Sequence, residues 1–369
     1  MTLASDVSSA RKRIFRDGYD ISFGELVSLY EKRELIIQPE YQRLFRWEPT
    51  QKTRFIESLL LNIPIPPVFV FSDQKGRWEL VDGLQRVSTV LEFMGLLIDE
   101  EGKKKPPFTC DGTSLLPSLQ KARWPITEEE ENDETNSNPE ILPVNLQLGI
   151  RRARIRVEIL GQETDSHVKY ELFQRLNSGG SNLSEQELRN CVLISINRTI
   201  FDHIKNLAAN KDFLVLAKVG SERINRQYLL ELAVRFVVLR NYKYKNGLDV
   251  HEYLDKGIIY IAEDNDFDWE KEKRSFSITM STLIKLVGEE AFFKSNRFSL
   301  AMYEFITLGL SKAIEGNVDL DPILVKDRIG AVPRLPEAEK YSGSGVRGTQ
   351  RLASFVVPLA EAFFVQQAK

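Results

Sequence analysis

The stretch Leu80-Val81-Asp82-Gly83-Leu84-Gln85-Arg86 decides how the first half of the chain folds. Arg77 to Val81 before it is rich in β-formers. After it, Val87, Val90, Leu91 and Met94 recur on one helical face, so the segment predicts a strand, a glycine turn and a helix from Leu84 to Leu97. Glycine permits a tight turn and close backbone approach, and the helix start presents unpaired N–H groups and the positive end of a dipole. Arg86 falls in the first helical turn, where a cation opposes that dipole unless an anion joins it. Asp82 offers a carboxylate for a metal-bound water or a sugar hydroxyl, and Gln85 can donate or accept. The competing interpretation is a plain strand-turn-helix joint with solvated ends.

Upstream, Val68 to Ser72 is a second β-like run, joined to Arg77–Val81 by the turn-forming Asp73-Gln74-Lys75-Gly76. Ile63-Pro64-Ile65-Pro66-Pro67 is a stiff extended connector, because three prolines fix φ and remove donors. Pro49 opens a helix with Phe55, Ile56, Leu59 and Leu60 on one side, and Pro39 keeps the Glu34–Pro39 run extended. Ser22-Phe23-Gly24-Glu25 has capping-box spacing ahead of a helix to Lys32. Residues 1–20 are expected to be a flexible leader, whose basic run Arg11–Arg16 is a solvated segment or a nucleic-acid arm.

Downstream, residues 127–140 hold six glutamates and an aspartate with almost nothing apolar, which predicts a mobile acidic insertion. Arg154 to Ile159 alternates like a half-buried strand, and Ser184-Glu185-Gln186-Glu187 caps a helix expected to reach Lys205. Helical patterns follow over 226–241, 250–262, 269–287, 297–314 and 322–329, with a last helix after Gly348. The fold class is therefore α+β, with a mixed domain over 21–210 and an α-helical domain over 211–369.

The composition, with 42% hydrophobic and 28% charged residues over 369, is that of a globular protein. A net charge of −3 excludes bulk attraction to nucleic acid, so any polyanion site must be a local basic cluster. Cys110 and Cys191 have no metal-ligand spacing and are expected to be ordinary thiols in a reducing cytoplasm. No stretch reaches the roughly 18 apolar residues a membrane span needs, so a soluble cytoplasmic protein without a membrane partner is expected.

Three further segments carry candidate chemistry. Gln38 to Trp47 packs Arg43, Arg46, Gln42 and the rings Tyr41, Phe45 and Trp47 into ten residues, a mixture suited to phosphate forks and base stacking. The alternative there is that the rings tuck into the core. Phe173–Ser181 brings Arg175 and Asn177 ahead of Gly179-Gly180, either toward the ligand of Arg86 or as a plain helix C-cap. Ser342–Arg351 is a glycine-rich loop before a helix, without the order or lysine of a phosphate-binding loop, and a linker is the better interpretation. Its Arg347 and Arg351, with Arg46 and Trp47, are the candidate DNA contacts.

The motifs P-E-Y-Q-R-x-F-R-W (Pro39–Trp47), I-P-I-P-P followed by D-G-x-Q-R (Ile63–Arg86) and F-x-R-L-N-x-G-G-x-x-L-S-x-Q-E-L-R (Phe173–Arg189) occur in one order. Together they resemble the N-terminal domain of GmrSD-type restriction systems, a ParB/sulfiredoxin-like family, over about residues 20–210. The resemblance implies a D-G-Q-Q-R box that binds and hydrolyses a nucleotide, here GTP, ATP or CTP with Mg2+, in phage defence acting with DNA. On that basis Asp82, Gln85 and Arg86 are the catalytic candidates, and Gly83, Tyr41, Gln42, Arg43, Arg175 and Asn177 line the nucleotide, with Asp82 the one candidate metal ligand. Leucine replaces glutamine at position 84, removing one polar ligand. His167, His203 and His251 form no nuclease signature, so cleavage is expected from a separate nuclease subunit. The alternative function is a DNA-sensing module in which nucleotide is only a switch ligand. The expected partners are thus nucleotide, DNA, such a subunit and a second copy of the chain as a homo-oligomer.

Overall fold

Ser22 ends one element and begins the next. It closes strand β1 (Arg16–Ser22), and its hydroxyl accepts from the Glu25 N–H at 3.1 Å to cap helix α1 (Phe23–Glu31). The structure, a computed structural model, describes residues 16–37, 47–73, 75–99, 102–127, 138–161, 184–218, 227–316, 321–343 and 345–365, with positions 2, 3, 5, 7, 130, 168, 171, 172, 174, 175 and 220. The leader expected over 1–20 therefore gives way at Arg16 to an edge strand. Its alternate residues turn Ile21 into the core, paired antiparallel with β5 from Arg16↔Leu160 to Ser22↔Arg154.

The first unit continues through β2 (Leu35–Ile36), α2 (Pro49–Leu60), β3 (Val68–Ser72), β4 (Trp78–Asp82), α3 (Leu84–Phe93), α4 (Val144–Arg152) and β5 (Arg154–Leu160). The sheet order is β1-β5-β3-β4-β2, with β3 parallel to β5 and antiparallel to β4. The β3–β4 turn forms because Asp73 Oδ1 accepts from the Lys75 and Arg77 N–H groups at 2.8 and 2.9 Å. Ile56, Val87, Val90, Leu91, Phe93 and Ile150 are sealed in one core with Val68, Val70 and Leu80 of the sheet. Burying each such side chain is worth roughly 1.5–3 kcal/mol. Helix α3 stops at Phe93, short of the expected Leu97, because Gly95 takes φ 68 and turns the chain away. Most of the acidic run 127–140 lies outside the described residues. Within it Glu130 is held by Arg123 at 2.6 Å, and that contact brings its carboxyl down to about 2.

The two compact units meet at Asn182/Leu183, ahead of the position near 210 that the helical patterns suggested. Helix α5 (Glu185–Ile196) belongs with the helical unit because its Arg189 is buried there against Asp255 at 2.7 Å. The single helix expected from Ser184 to Lys205 is two. Asn197 is extended and accepts from the Thr199 N–H at 3.1 Å, so it starts α6 (Arg198–Ala208) in place of continuing α5. The helices α7 (Lys211–Ala217), α8 (Tyr228–Asn241), α9 (Val250–Glu263) and α10 (Trp269–Leu286) follow. The helix expected from Arg297 starts only at Leu300 as α11 (Leu300–Glu315), since Arg297 and Phe298 pair with Phe293 and Lys294 in a two-stranded hairpin. After α12 (Pro322–Ala331) and α13 (Pro336–Tyr341), α14 (Gly348–Arg351) passes through a π-turn (Leu352–Val356) into α15 (Val357–Val365). Among the described residues no helix is long and apolar enough to cross a membrane. Both cysteines are buried and outside any disulfide, and burial pushes Cys110 up to about 12.

Glu315 links three cations of the helical unit, at 2.5 Å from Lys271, 2.9 Å from Arg240 and 3.6 Å from Lys312. The bond from Lys271, reinforced by Arg240, lowers its carboxyl from 4.5 to about 2. A depressed folded-state value means that this contribution is complete above pH 4.5 and lost as pH falls toward 2. Glu315→Gln should therefore lower the melting temperature at pH 7 by roughly 2–4 °C and narrow the gap to wild type as pH approaches 2, measured by thermal denaturation across that range.

Candidate functional site

The turn between β4 and α3 is built by close packing. Gly83 takes φ 95, and a Cβ there would run into Val68 Cγ1 while lying 3.2 Å from Arg86 Nη2. Glycine is thus required twice, for the left-handed backbone and for the approach of β3. Gly83 stands at the cap position of α3 and offers no side-chain hydrogen bond to its first turn.

Arg86 organises the turn from within. Its Nη2 donates to Asp82 Oδ2 at 2.8 Å and to the Pro67 carbonyl at 3.0 Å, so one guanidinium joins the proline connector, the end of β4 and the start of α3. The Arg86 side chain is 16% exposed and that of Asp82 37%, which makes the arginine the fixed partner and the carboxylate the freer one. Arg86 Nε is buried with no acceptor. A buried unpaired donor on a cation costs on the order of 1–3 kcal/mol, so it marks a place where an anion would be welcome.

Gln85 does something the sequence did not indicate. Its side-chain carbonyl accepts from the Trp47 N–H at 3.1 Å, across 38 positions of chain. It ties the entry to α2 to the first turn of α3, a role beside that of the catalytic candidate the resemblance implies. Trp47, a candidate DNA contact, is drawn toward the core. Its ring is partly buried against the core, 5.6 Å from Phe55 in an edge contact. Leu84 also packs against this core. Asp82, Gly83, Gln85, Arg86 and Trp47 are thus one constellation, while Tyr41, Gln42, Arg43, Arg46 and Asn177 lie outside the described residues. Arg175 is 77% exposed and lies 3.4 Å from Glu171.

In the helical unit the candidate DNA contacts separate. Arg347 is exposed at the start of α14, but Arg351 is turned inward, donating from Nε to Glu304 Oε2 at 2.7 Å. Glu304 is fully buried and also accepts from Arg235 Nη1 at 2.6 Å, and Arg235 in turn holds Glu231. Removing either partner of such a pair strands a charge, at about 3–5 kcal/mol. Arg351 is thus committed to an ion pair inside the helical unit. Arg189 of the third motif is likewise committed to Asp255 and Gln186, so Q-E-L-R closes the helical core and does not face a ligand. The missed signal was a charged residue inside an apolar stripe, as at Arg235 among Val234, Phe236 and Val237. Among the described residues no three His, Cys, Asp or Glu side chains gather as a metal site, and His203 stacks on Trp269 at 5.0 Å.

Residues 23–194 match the family described as GmrSD restriction endonuclease, N-terminal domain, a span that covers just under half of the chain and contains the whole β4–α3 turn. No curated protein and no solved structure matches the chain.

If Gln85 anchors Trp47, losing its acceptor should release that amide. Gln85→Met keeps the shape and should raise hydrogen exchange at the Trp47 N–H about tenfold, while Gln85→Glu, which retains an acceptor, keeps it protected. Equal exchange in the wild type and Gln85→Met would remove the anchoring role.

Proposed function

We propose that this chain, whose residues 23–194 are similar to the GmrSD N-terminal domain, is a nucleotide-binding and nucleotide-hydrolysing component of a restriction system in phage defence. The observation that carries the reading is the Arg86 guanidinium, seated at an uncapped helix start beside a glycine turn, with a buried donor lacking an acceptor. Phosphoryl transfer asks a protein mainly for positioning and charge neutralisation, and an arginine, backbone N–H groups and one carboxylate provide both. Arg86 takes the phosphate, the first N–H groups of α3 orient its oxygens, and Asp82 orients the attacking water. Asp82 is the residue of this turn that would hold a Mg2+ ion, which would supply charge neutralisation. Gln85 contributes by fixing Trp47, the end of the Pro39–Trp47 motif, and Tyr41, Gln42 and Arg43 are assigned to the ligand by that motif alone. Arg175 and Asn177 belong to this pocket by motif alone, as does the kinship with ParB/sulfiredoxin-like folds. DNA cleavage falls to a separate nuclease subunit.

The test is hydrolysis and binding of GTP, ATP and CTP by wild type and Arg86→Ala. We expect turnover of at least one nucleotide by wild type, and a loss of about 100-fold or more in Arg86→Ala, since one charged transition-state contact is worth roughly 3 kcal/mol. Background rates in both proteins, with no binding, would remove the reading.

DNA sensing without turnover has its own support. Arg151-Arg152-Ala153-Arg154-Ile155-Arg156 is a basic run within an acidic chain, and α4 and β5 leave all four arginines exposed. Arg156 is partly neutralised by Glu158 at 3.2 Å, which leaves Arg151, Arg152 and Arg154 as the phosphate-facing set. Duplex DNA binding should weaken steeply with salt, and replacing those three arginines by alanine should reduce the log–log salt slope by about 2–3. No binding at low salt would end this reading.

A further inference from the structure

We infer that Asp82 is an internal competitor for the anion site, holding in the free protein the guanidinium that a ligand's phosphate takes in the bound one. The inference rests on the nucleotide reading above and adds how the site is regulated. Its first support is the way the pair is made. Asp82 grips Arg86 through Nη2 at 2.8 Å, and the same nitrogen also serves the Pro67 carbonyl at 3.0 Å. Nε meanwhile has no acceptor and no access to solvent. A guanidinium pairs best by two parallel N–H groups, so this monodentate arrangement leaves part of its capacity unused. A phosphate has oxygens enough to engage Nε and an Nη together, but Arg86 must shift to expose Nε, and the contact with Asp82 opposes that shift.

The second support is the asymmetry of exposure. The Asp82 side chain is 37% exposed and that of Arg86 16%. The carboxylate can swing into water and be rehydrated at low cost, whereas the arginine, still bonded to the Pro67 carbonyl, need only turn far enough to present Nε. Exchange therefore has a direction, with the acid leaving as the anion enters. A pair this exposed is weak enough to be displaced and strong enough to be felt. The consequence couples loading to chemistry. Asp82 becomes a free carboxylate beside the phosphate only when a phosphate has displaced it, so the group that orients water is released by the substrate itself.

Calorimetry with the β,γ-imido analogues of GTP, ATP and CTP tests this on wild type, Asp82→Asn and Arg86→Ala, with Asp82→Ser as a second way of removing the charge and thermal melts to confirm folding. Asp82→Asn and Asp82→Ser should bind about threefold to tenfold more tightly than wild type while losing hydrolysis, and Arg86→Ala should bind least. Opposite movement of affinity and turnover is not what a merely structural or metal-holding carboxylate gives. Aspartate variants that bind as wild type does, or more weakly, overturn the competitor role while leaving nucleotide binding intact. Absence of binding in wild type and all variants overturns the nucleotide reading and this inference together.

Discussion

One guanidinium holds the first unit's functional corner together. Arg86 reaches back to the carbonyl of Pro67, and that bond explains why a proline connector precedes β3 at a fixed distance from the glycine turn. The prolines bring the backbone to Val68 without donors of their own, Val68 fills the space a Cβ at Gly83 would need, and Arg86 closes the joint from the helix side. No one of these residues accounts for the corner without the others. The strand register adds to it, because β3 and β4 slip between Phe69 and Val70, at Val81 next to Asp82. A shifted register re-aims side chains at the end of a strand, which is where Asp82 must point to meet Arg86.

The helical unit uses arginine differently. Arg189, Arg235, Arg240 and Arg351 pair with Asp255, Glu231, Glu304, Glu272 and Glu315 inside or at the edge of a core that is otherwise aliphatic and aromatic. Such pairs add little net stability over apolar residues of the same volume, because desolvation offsets most of the attraction. What they do is penalise wrong packing, since a shifted helix would leave a charge unpaired. Arg351 stands just before the π-turn, where the backbone is least regular, and its bond to Glu304 holds that helix in register with α11.

Legibility in the sequence followed the range of the interaction. Ser22, Pro49, Asp73, Gly83 and Ser184 signalled their elements because caps, proline and glycine turns act within four residues. The α+β class was readable from the same signals. Edge strand β1 was not, because Arg16 to Ser22 has little apolar pattern and is specified by its partner β5, far along the chain. The break at Asn197 was missed since an asparagine in an apolar stripe is read as a tolerated interior residue until its side chain is seen to accept from Thr199. At the site, the glycine turn and its cation were visible in the motif. The Pro67 carbonyl, the Trp47 N–H and the stranded Nε were not, because backbone groups carry no sequence signature.

Position 84 sharpens what the corner can do. A glutamine there would add a second amide to the first turn of α3. Leucine instead packs, partly buried, against the core, so the position contributes packing. The polar equipment of the turn is then reduced to one fixed cation, one displaceable carboxylate, and an amide already engaged by the Trp47 N–H. Binding of an anion needs only the first of these. The proposed turnover needs the carboxylate to be free at the moment the phosphate is in place, and with leucine at position 84 the turn offers Asp82 for orienting water. On the function proposed for this corner, affinity and catalysis are set by the same ion pair, acting in opposite directions.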